Sequence, residues 1–275
     1  MRDLVRKGMA LYDEYAVVNA GTYASSIAYF AFLSLVPMLT LCISFVSLAG
    51  YGEQEVVGFV VSMVPDAFER LVRALIKDAF DGSDLAISLS SVTLLWSASR
   101  GIKALLGGLN VAYGVEETRN KFAVAALSVF AALVFGVLVA GLMYLVFSHS
   151  LLRLISFLFP SIDLPIGLAG AIHPVAMMAL VFSSMCLCYT YLPAGKRSLS
   201  SQLPGAAIAT LACGVLSLGF RLYVDEFSNH TVLYGSIATV ALLLIWMYLT
   251  SYILVSCGFL NRMLMEGKLP LRKAE

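Results

Sequence analysis

Long apolar runs separated by short polar segments dominate the chain. Five runs, Tyr23–Ala49, Phe122–Phe147, Ile172–Leu192, Gly205–Val224 and Val232–Leu260, are each long enough to cross hydrocarbon as a helix; a span needs about 20 mostly apolar residues. A sixth run, Leu85–Leu106, starts apolar and carries Arg100 and Lys103 in its final third. Between the first two runs, Phe68, Leu71, Val72, Leu75, Ile76, Ala79 and Phe80 recur at spacings of three and four, the stripe of an amphipathic helix. Pro65 and Asp66 suit its start, so a helix is expected over 66–81, either as a lid over a cavity or lying in the outer interface. Ser150–Phe159, ended by Pro160, reads as a similar helix in the second outer loop. The N-terminal residues read as a polar arm.

Composition sharpens this pattern. The 275 residues are 60% hydrophobic and 13% charged, with a mean hydropathy of +0.89. Soluble domains carry about 25% charged residues, and a water-exposed globule with half that charge would present large apolar patches. The expected class is therefore all-α: one polytopic membrane helix bundle over 1–275, with about six transmembrane helices. The first apolar run is too long for a signal peptide and lacks a small-residue cleavage site, so it is expected to be retained. A net charge of +1 argues against a nucleic-acid binder that works through bulk positive potential.

The basic residues set an expected orientation. With both termini in the cytoplasm, the inner segments hold 13 of the 18 Lys and Arg residues, the bias seen in cytoplasmic loops. Only Arg70, Arg73, Lys77, Arg153 and Arg221 fall outside. This predicts a membrane protein with both termini in the cytoplasm.

Candidate chemistry is sparse. Ser90, Thr93, Ser97 and Arg100 fall at spacings of three, four and three, so they form a polar stripe on one helix side. An arginine within hydrocarbon costs several kcal/mol unless it faces a cavity, a partner or the interface. Arg100 therefore either lines a polar cavity or snorkels, and Lys103 is read as snorkelling. Small residues at four-residue spacing, Ser128–Ala132–Gly136–Ala140 and Gly205–Ala209–Cys213–Ser217, suit close helix packing. Pro37 interrupts the first run and is expected to bend it. Cys42, Cys186, Cys188, Cys213 and Cys257 lie in apolar runs, which fits packing and not a disulfide frame or zinc site. His149, His173 and His230 are far apart, and no phosphate loop or nucleophile elbow occurs, so no enzyme activity and no metal or cofactor is expected.

Three stretches carry a family resemblance: AYFAFLSLVPML from Ala28, LLWSASRGIKALLGGLNVAYGVEETR from Leu94 and LYGSIATVALLLIWMYLTSYILVSCGFLN from Leu233, with YTYLP from Tyr189 and Pro204–Gly205–Ala206 between them. Together they resemble the YihY/BrkB family of bacterial inner-membrane proteins, formerly labelled ribonuclease BN and linked in one branch to virulence and serum resistance. The resemblance implies six spans and a cytoplasmic-membrane location, and supplies no established reaction. The positions matching its polar signature are Arg100, Asn110, Tyr113, Glu117 and Arg119 in the second stretch and Tyr234, Gly235 and Ser236 in the third.

Three functions follow as expectations. One is a transporter or lipid-handling protein whose polar cavity, near Arg100 and the Asn110–Arg119 loop, takes an anionic small molecule or lipid head group. The second is a non-transporting scaffold that binds membrane lipids or a protein partner. The third, a nuclease, is rejected for want of clustered His and Asp. Substrate and oligomeric state are not legible.

Overall fold

A computed structural model describes residues 2–48, 52–61, 66–81, 84–147, 166–228 and 235–268. These form nine helices: α1 Arg2–Val18, α2 Ala20–Leu48, α3 Glu53–Val61, α4 Asp66–Phe80, α5 Asp84–Tyr113, α6 Lys121–Phe147, α7 Ile166–Tyr191, α8 Leu199–Ser228 and α9 Gly235–Met265. No strand occurs among the described residues. Helices are the expected answer to hydrocarbon, because each satisfies its own backbone N–H and C=O groups. The chain is an all-α membrane helix bundle. By length and composition, Met9–Leu35, Leu199–Val224 and Val240–Met265 qualify as spans, with shorter apolar helices at Lys121–Val134 and Met178–Tyr191.

Six hydroxyls of the long helices obey the same constraint. Thr93 donates to Leu89 O, Ser97 to Thr93 O, Ser128 to Val124 O, Thr190 to Cys186 O, Thr210 to Ala206 O and Ser251 to Met247 O, all at 2.7–2.9 Å. Each hydroxyl is satisfied on its own helix, one turn back. Large apolar side chains meanwhile face outward, Phe122 at 83% exposure and Leu222 at 72%. Such outward faces are stable only where lipid replaces water.

Helix α5 is central, packed along α2 and touching α6, α9 and α1, while α8 lies between α7 and α9. Closeness between α5, α2 and α9 depends on a glycine. A Cβ at Gly108 would sit 2.9 Å from Tyr23 Cβ and 3.2 Å from Val255 Cγ2. The stripes foreseen on α6 and α8 are buried at Ser128 and Ala132, and at Gly205, Ala209 and Cys213. Ser217 is exposed and accepts the Trp246 indole N–H at 3.3 Å.

Three features differ from expectation or extend it. The N-terminal arm is a helix docked on the bundle: Leu11, Tyr15 and Val18 share one face and pack with Phe259 and Met263 of α9. Tyr15 Oη hydrogen-bonds Ser256 Oγ at 2.7 Å, and its ring meets Phe259 edge-on at 5.4 Å. Asn19 breaks the chain between α1 and α2 with φ of 48°, a conformation asparagine tolerates. Helix α2 continues through a buried Pro37. Helix α4 packs on α2, α3, α8 and α9, burying Ile76 and exposing Arg70, Arg73 and Lys77. The 150–159 stretch lies outside the described residues.

Replacing Gly108 by Leu should lower stability by about 1–3 kcal/mol through overpacking. Gly214→Ala, where nothing lies within 4 Å, should change it little. Thermal unfolding of the two variants in detergent checks the contrast.

Candidate functional site

The signature residues of the second stretch converge where α5 ends. Gly114, at φ of +63°, closes the helix: its N–H donates to Val111 O (3.0 Å) and that of Val115 to Asn110 O (2.9 Å), the double bond of a Schellman cap. This turn brings Glu117 back toward the helix. Buried Asn110 donates through Nδ2 to Glu117 Oε2 at 2.9 Å and accepts the Ala194 N–H on Oδ1 at 2.7 Å. Glu117 in turn receives Arg119 through its backbone N–H and through Nε and Nη2, the latter two at 2.7 Å. Arg119 Nη2 also donates to Leu192 O at 2.9 Å. The α5–α6 and α7–α8 connections are thereby clamped together. Hydrogen bonds from Arg119 hold the Glu117 carboxyl low, at about 2, and the same pairing raises the Arg119 value.

A second network lies beneath. Tyr113, the last residue of α5, donates to Gln202 Oε1 at 2.5 Å and accepts from Asn261 Nδ2 at 3.2 Å. Asn261 Oδ1 accepts the Gly205 N–H at 2.8 Å. Gly205 is required there, because a Cβ would overlap the Asn261 amide. Tyr113, Gln202 and Asn261 are all buried. The Arg197 guanidinium covers the Tyr113 ring at 4.3 Å and donates to Ala194 O at 2.8 Å. Tyr189, fully buried on α7, donates to Leu254 O at 2.9 Å. The ends of α5, α8 and α9 are thus locked by mutually satisfied polar groups.

Gln202, Asn261, Tyr189 and Arg197 were not singled out from the sequence. Asn261 carried a readable signal, an amide at the end of a long apolar run where an unpartnered one would be costly. The others had none that separated them from ordinary interface residues.

The Ser90–Arg100 stripe lies apart from this lock. Ser97 is fully buried and also reaches Leu94 O at 3.2 Å, Thr93 is exposed, and Ser90 is partly buried. Arg100 is exposed on the flank of the bundle, its guanidinium 5.9 Å from the Trp96 ring centroid. It lines a cleft of about 270 Å³ between α5 and α6 with Trp96, Ser99, Lys103, Ala125, Ser128 and Val129. Among the described residues neither Arg100 nor Lys103 pairs with a carboxylate. Gly235 and Ser236 begin α9; Tyr234 lies outside the described residues, as do His149 and His230. Among the described residues no group of three or more His, Cys, Asp or Glu side chains is placed to hold a metal ion.

Comparison with known proteins bears on this arrangement. The family described as Virulence factor BrkB matches residues 11–275. The chain belongs to that family. It is 31% identical over 265 residues to a putative ribonuclease-like protein, YfkH, of Bacillus subtilis, covering 94% of each chain. It is 27% identical to a UPF0761 membrane protein of Vibrio campbellii, over 84% of this chain and 72% of that one. Against a UPF0761 membrane protein of Nitrosospira multiformis the identity is 24%, over 87% of this chain and 56% of the relative. No solved structure matches. The family is one of membrane proteins whose specific activity is not established.

The clamp has a pH signature. Glu117 has a lowered folded pKa, so its contribution is fully present above the unfolded value of 4.5 and is lost as pH falls toward about 2. Discounted for solvent screening, the contribution is about 1 kcal/mol. Glu117→Gln should melt lower than the parent at pH 6–7, with the gap closing between pH 4.5 and about 2; melting curves across that range check it. Asn261→Leu should cost more, about 2–4 kcal/mol, because it leaves the Gly205 N–H and the Tyr113 hydroxyl short of a partner.

Proposed function

We propose that this protein handles lipid at the flank of its bundle and does not conduct a solute along the bundle axis. The observation that carries the reading is the placement of Arg100. Its charge opens sideways through the α5–α6 cleft, where a bilayer lipid would arrive, while the ends of α5, α8 and α9 are held by the Tyr113–Gln202–Asn261 lock. On α6 the cleft is lined by Ala125, Ser128 and Val129, and the small side chains of Ala125 and Ser128 leave room for a head group.

The orientation belongs to the same proposal. Arg119, Lys121, Lys196, Arg197, Arg262 and Lys268 fall on one end, in and around the clamped connections and the end of α9, whereas α4 presents Arg70, Arg73 and Lys77 at the other. The first end would face the cytoplasm of a bacterial inner membrane, with both termini on that side. The word ribonuclease in the name of the Bacillus relative is not extended to this chain.

A scaffold is the second reading, favoured by the lock itself, since every polar group named in it has a partner and the bundle end is rigid. Transbilayer movement of a fluorescent phospholipid in proteoliposomes separates the two. The lipid-handling reading expects movement above protein-free vesicles, about tenfold slower in Arg100→Ala and partly restored in Arg100→Lys. Equal rates in parent, Arg100→Ala and Arg100→Lys would remove Arg100 from the mechanism, and a parent rate no higher than that of empty vesicles would leave the scaffold.

A further inference from the structure

The α5–α6 cleft also contains enough chemistry to name the class of lipid, an inference that rests on the lateral reading above. Its polar side chains are two cations, two hydroxyls and the indole of Trp96, whose N–H is a further donor. Arg100 and Lys103 are on successive turns of α5, and among the described residues no carboxylate offsets them. Two charges of one sign at the edge of a low-dielectric slab repel each other and attract an anion more strongly than they would in water. The hydroxyls cannot supply the anion's other hydrogen bonds. Ser99 Oγ already donates to Trp96 O (2.9 Å) and Ser128 Oγ to Val124 O (2.8 Å), which leaves both as acceptors only.

The geometry points to a net-anionic phospholipid, its phosphate between Arg100 and Lys103. Arginine supplies a planar fork for two phosphate oxygens, and lysine a point charge beside it. Ser99 and Ser128 can accept from hydroxyl donors of a head group such as glycerol. A zwitterionic head group fits poorly. Its ammonium would meet two like charges, no carboxylate among the described residues lines the cleft, and Arg100 already lies over the Trp96 ring that could otherwise receive a cation.

Depth and surroundings favour a lipid over free phosphate. Helix α6 begins at Lys121, and Ser128 lies seven residues further on, roughly 10 Å along the axis. With Lys121 at the aqueous boundary, the cleft sits where phosphate and glycerol meet the acyl chains. On the α5 side, Leu89, Val92 and Trp96 continue the cleft's helix face inward and are 52–68% exposed; on α6, Leu133 is 52% exposed one turn beyond Val129. These exposed apolar side chains provide a track for tails. At about 270 Å³ the cleft admits a head group and leaves the tails outside it; sites that enclose a whole small ligand run from about 300 to 1,000 Å³.

Trp96 provides the reporter. The chain has two tryptophans, so Trp246→Phe leaves Trp96 as the sole emitter. That protein is reconstituted with brominated-chain phosphatidylglycerol or phosphatidylcholine, and quenching gives the relative occupancy beside Trp96. The expected result is a preference for phosphatidylglycerol of roughly tenfold, falling to near unity in Arg100→Gln/Lys103→Gln and in high salt. Equal quenching by both lipids in the parent would overturn the head-group assignment while leaving lateral lipid access in place. Absence of quenching by either would overturn both. Persistence of the preference in the double variant would place the selectivity elsewhere and sink the assignment. Loss of phosphatidylglycerol quenching on adding millimolar inorganic phosphate, at matched ionic strength, would identify a free-phosphate site and overturn the lipid. The comparison of the two lipids and its salt dependence need only the Trp246→Phe background, so the proposal stays testable if the double substitution misfolds.

Discussion

Asn261 accepts the amide proton of Gly205 and donates to the Tyr113 hydroxyl, which itself donates to Gln202. Three helices that are remote in sequence are joined by these bonds at one point. Lipid tails provide no hydrophobic drive for helices to associate, so such bonds and close backbone approach carry the specificity of assembly. The glycine and the asparagine are one device: the missing Cβ makes room, and the amide fills it with directional bonds. Around that point the Asn110–Glu117–Arg119 clamp fixes the two connecting loops, and Arg197 seals the Tyr113 ring.

This rigid end accounts for where exchange with the surroundings can occur. Buried amides and hydroxyls that satisfy one another have no spare donors for a ligand, and opening them would break several hydrogen bonds at once. The α5–α6 flank is different in kind. Its serines are satisfied by their own helix, its two cations have no counter-charge among the described residues, and its rim is apolar. Stability and interaction are divided between two faces of α5, one built from Gly108, Leu109 and Tyr113, the other from Trp96, Arg100 and Lys103.

Much of the fold was legible because hydrocarbon imposes a length and polarity rule that shows in single-residue composition. Each of the six long apolar runs lies within or largely within one helix of the structure, including Leu85–Leu106 with its two charges. The amphipathic spacing from Phe68 to Phe80 likewise marks α4. The N-terminal helix was missed although Leu11, Tyr15 and Val18 stand at spacings of four and three: the stripe is short, charged residues flank it, and only α9 opposite shows what it covers. At the site, spacing put Ser97 and Arg100 on one side of α5 but did not say which way each would turn. Ser97 bonds backward to its own helix and is buried, while Arg100 is long enough to swing out over Trp96. Asn261 and Gln202 are invisible to periodicity, since an isolated polar residue has no period; their meaning lies in a partner far away along the chain.

The docking of α1 has a consequence for biosynthesis. Tyr15 meets Ser256 across 241 residues of sequence, and Glu14 meets Lys268 across 254. A ribosome adding about 5–20 residues per second emits the partner helix roughly 10–50 seconds after the first one. Throughout that interval the inner face of α1, with Leu11, Tyr15 and Val18 uncovered, has only the membrane surface or a chaperone to rest on. A segment made well before its partner is therefore among the last to reach its native place.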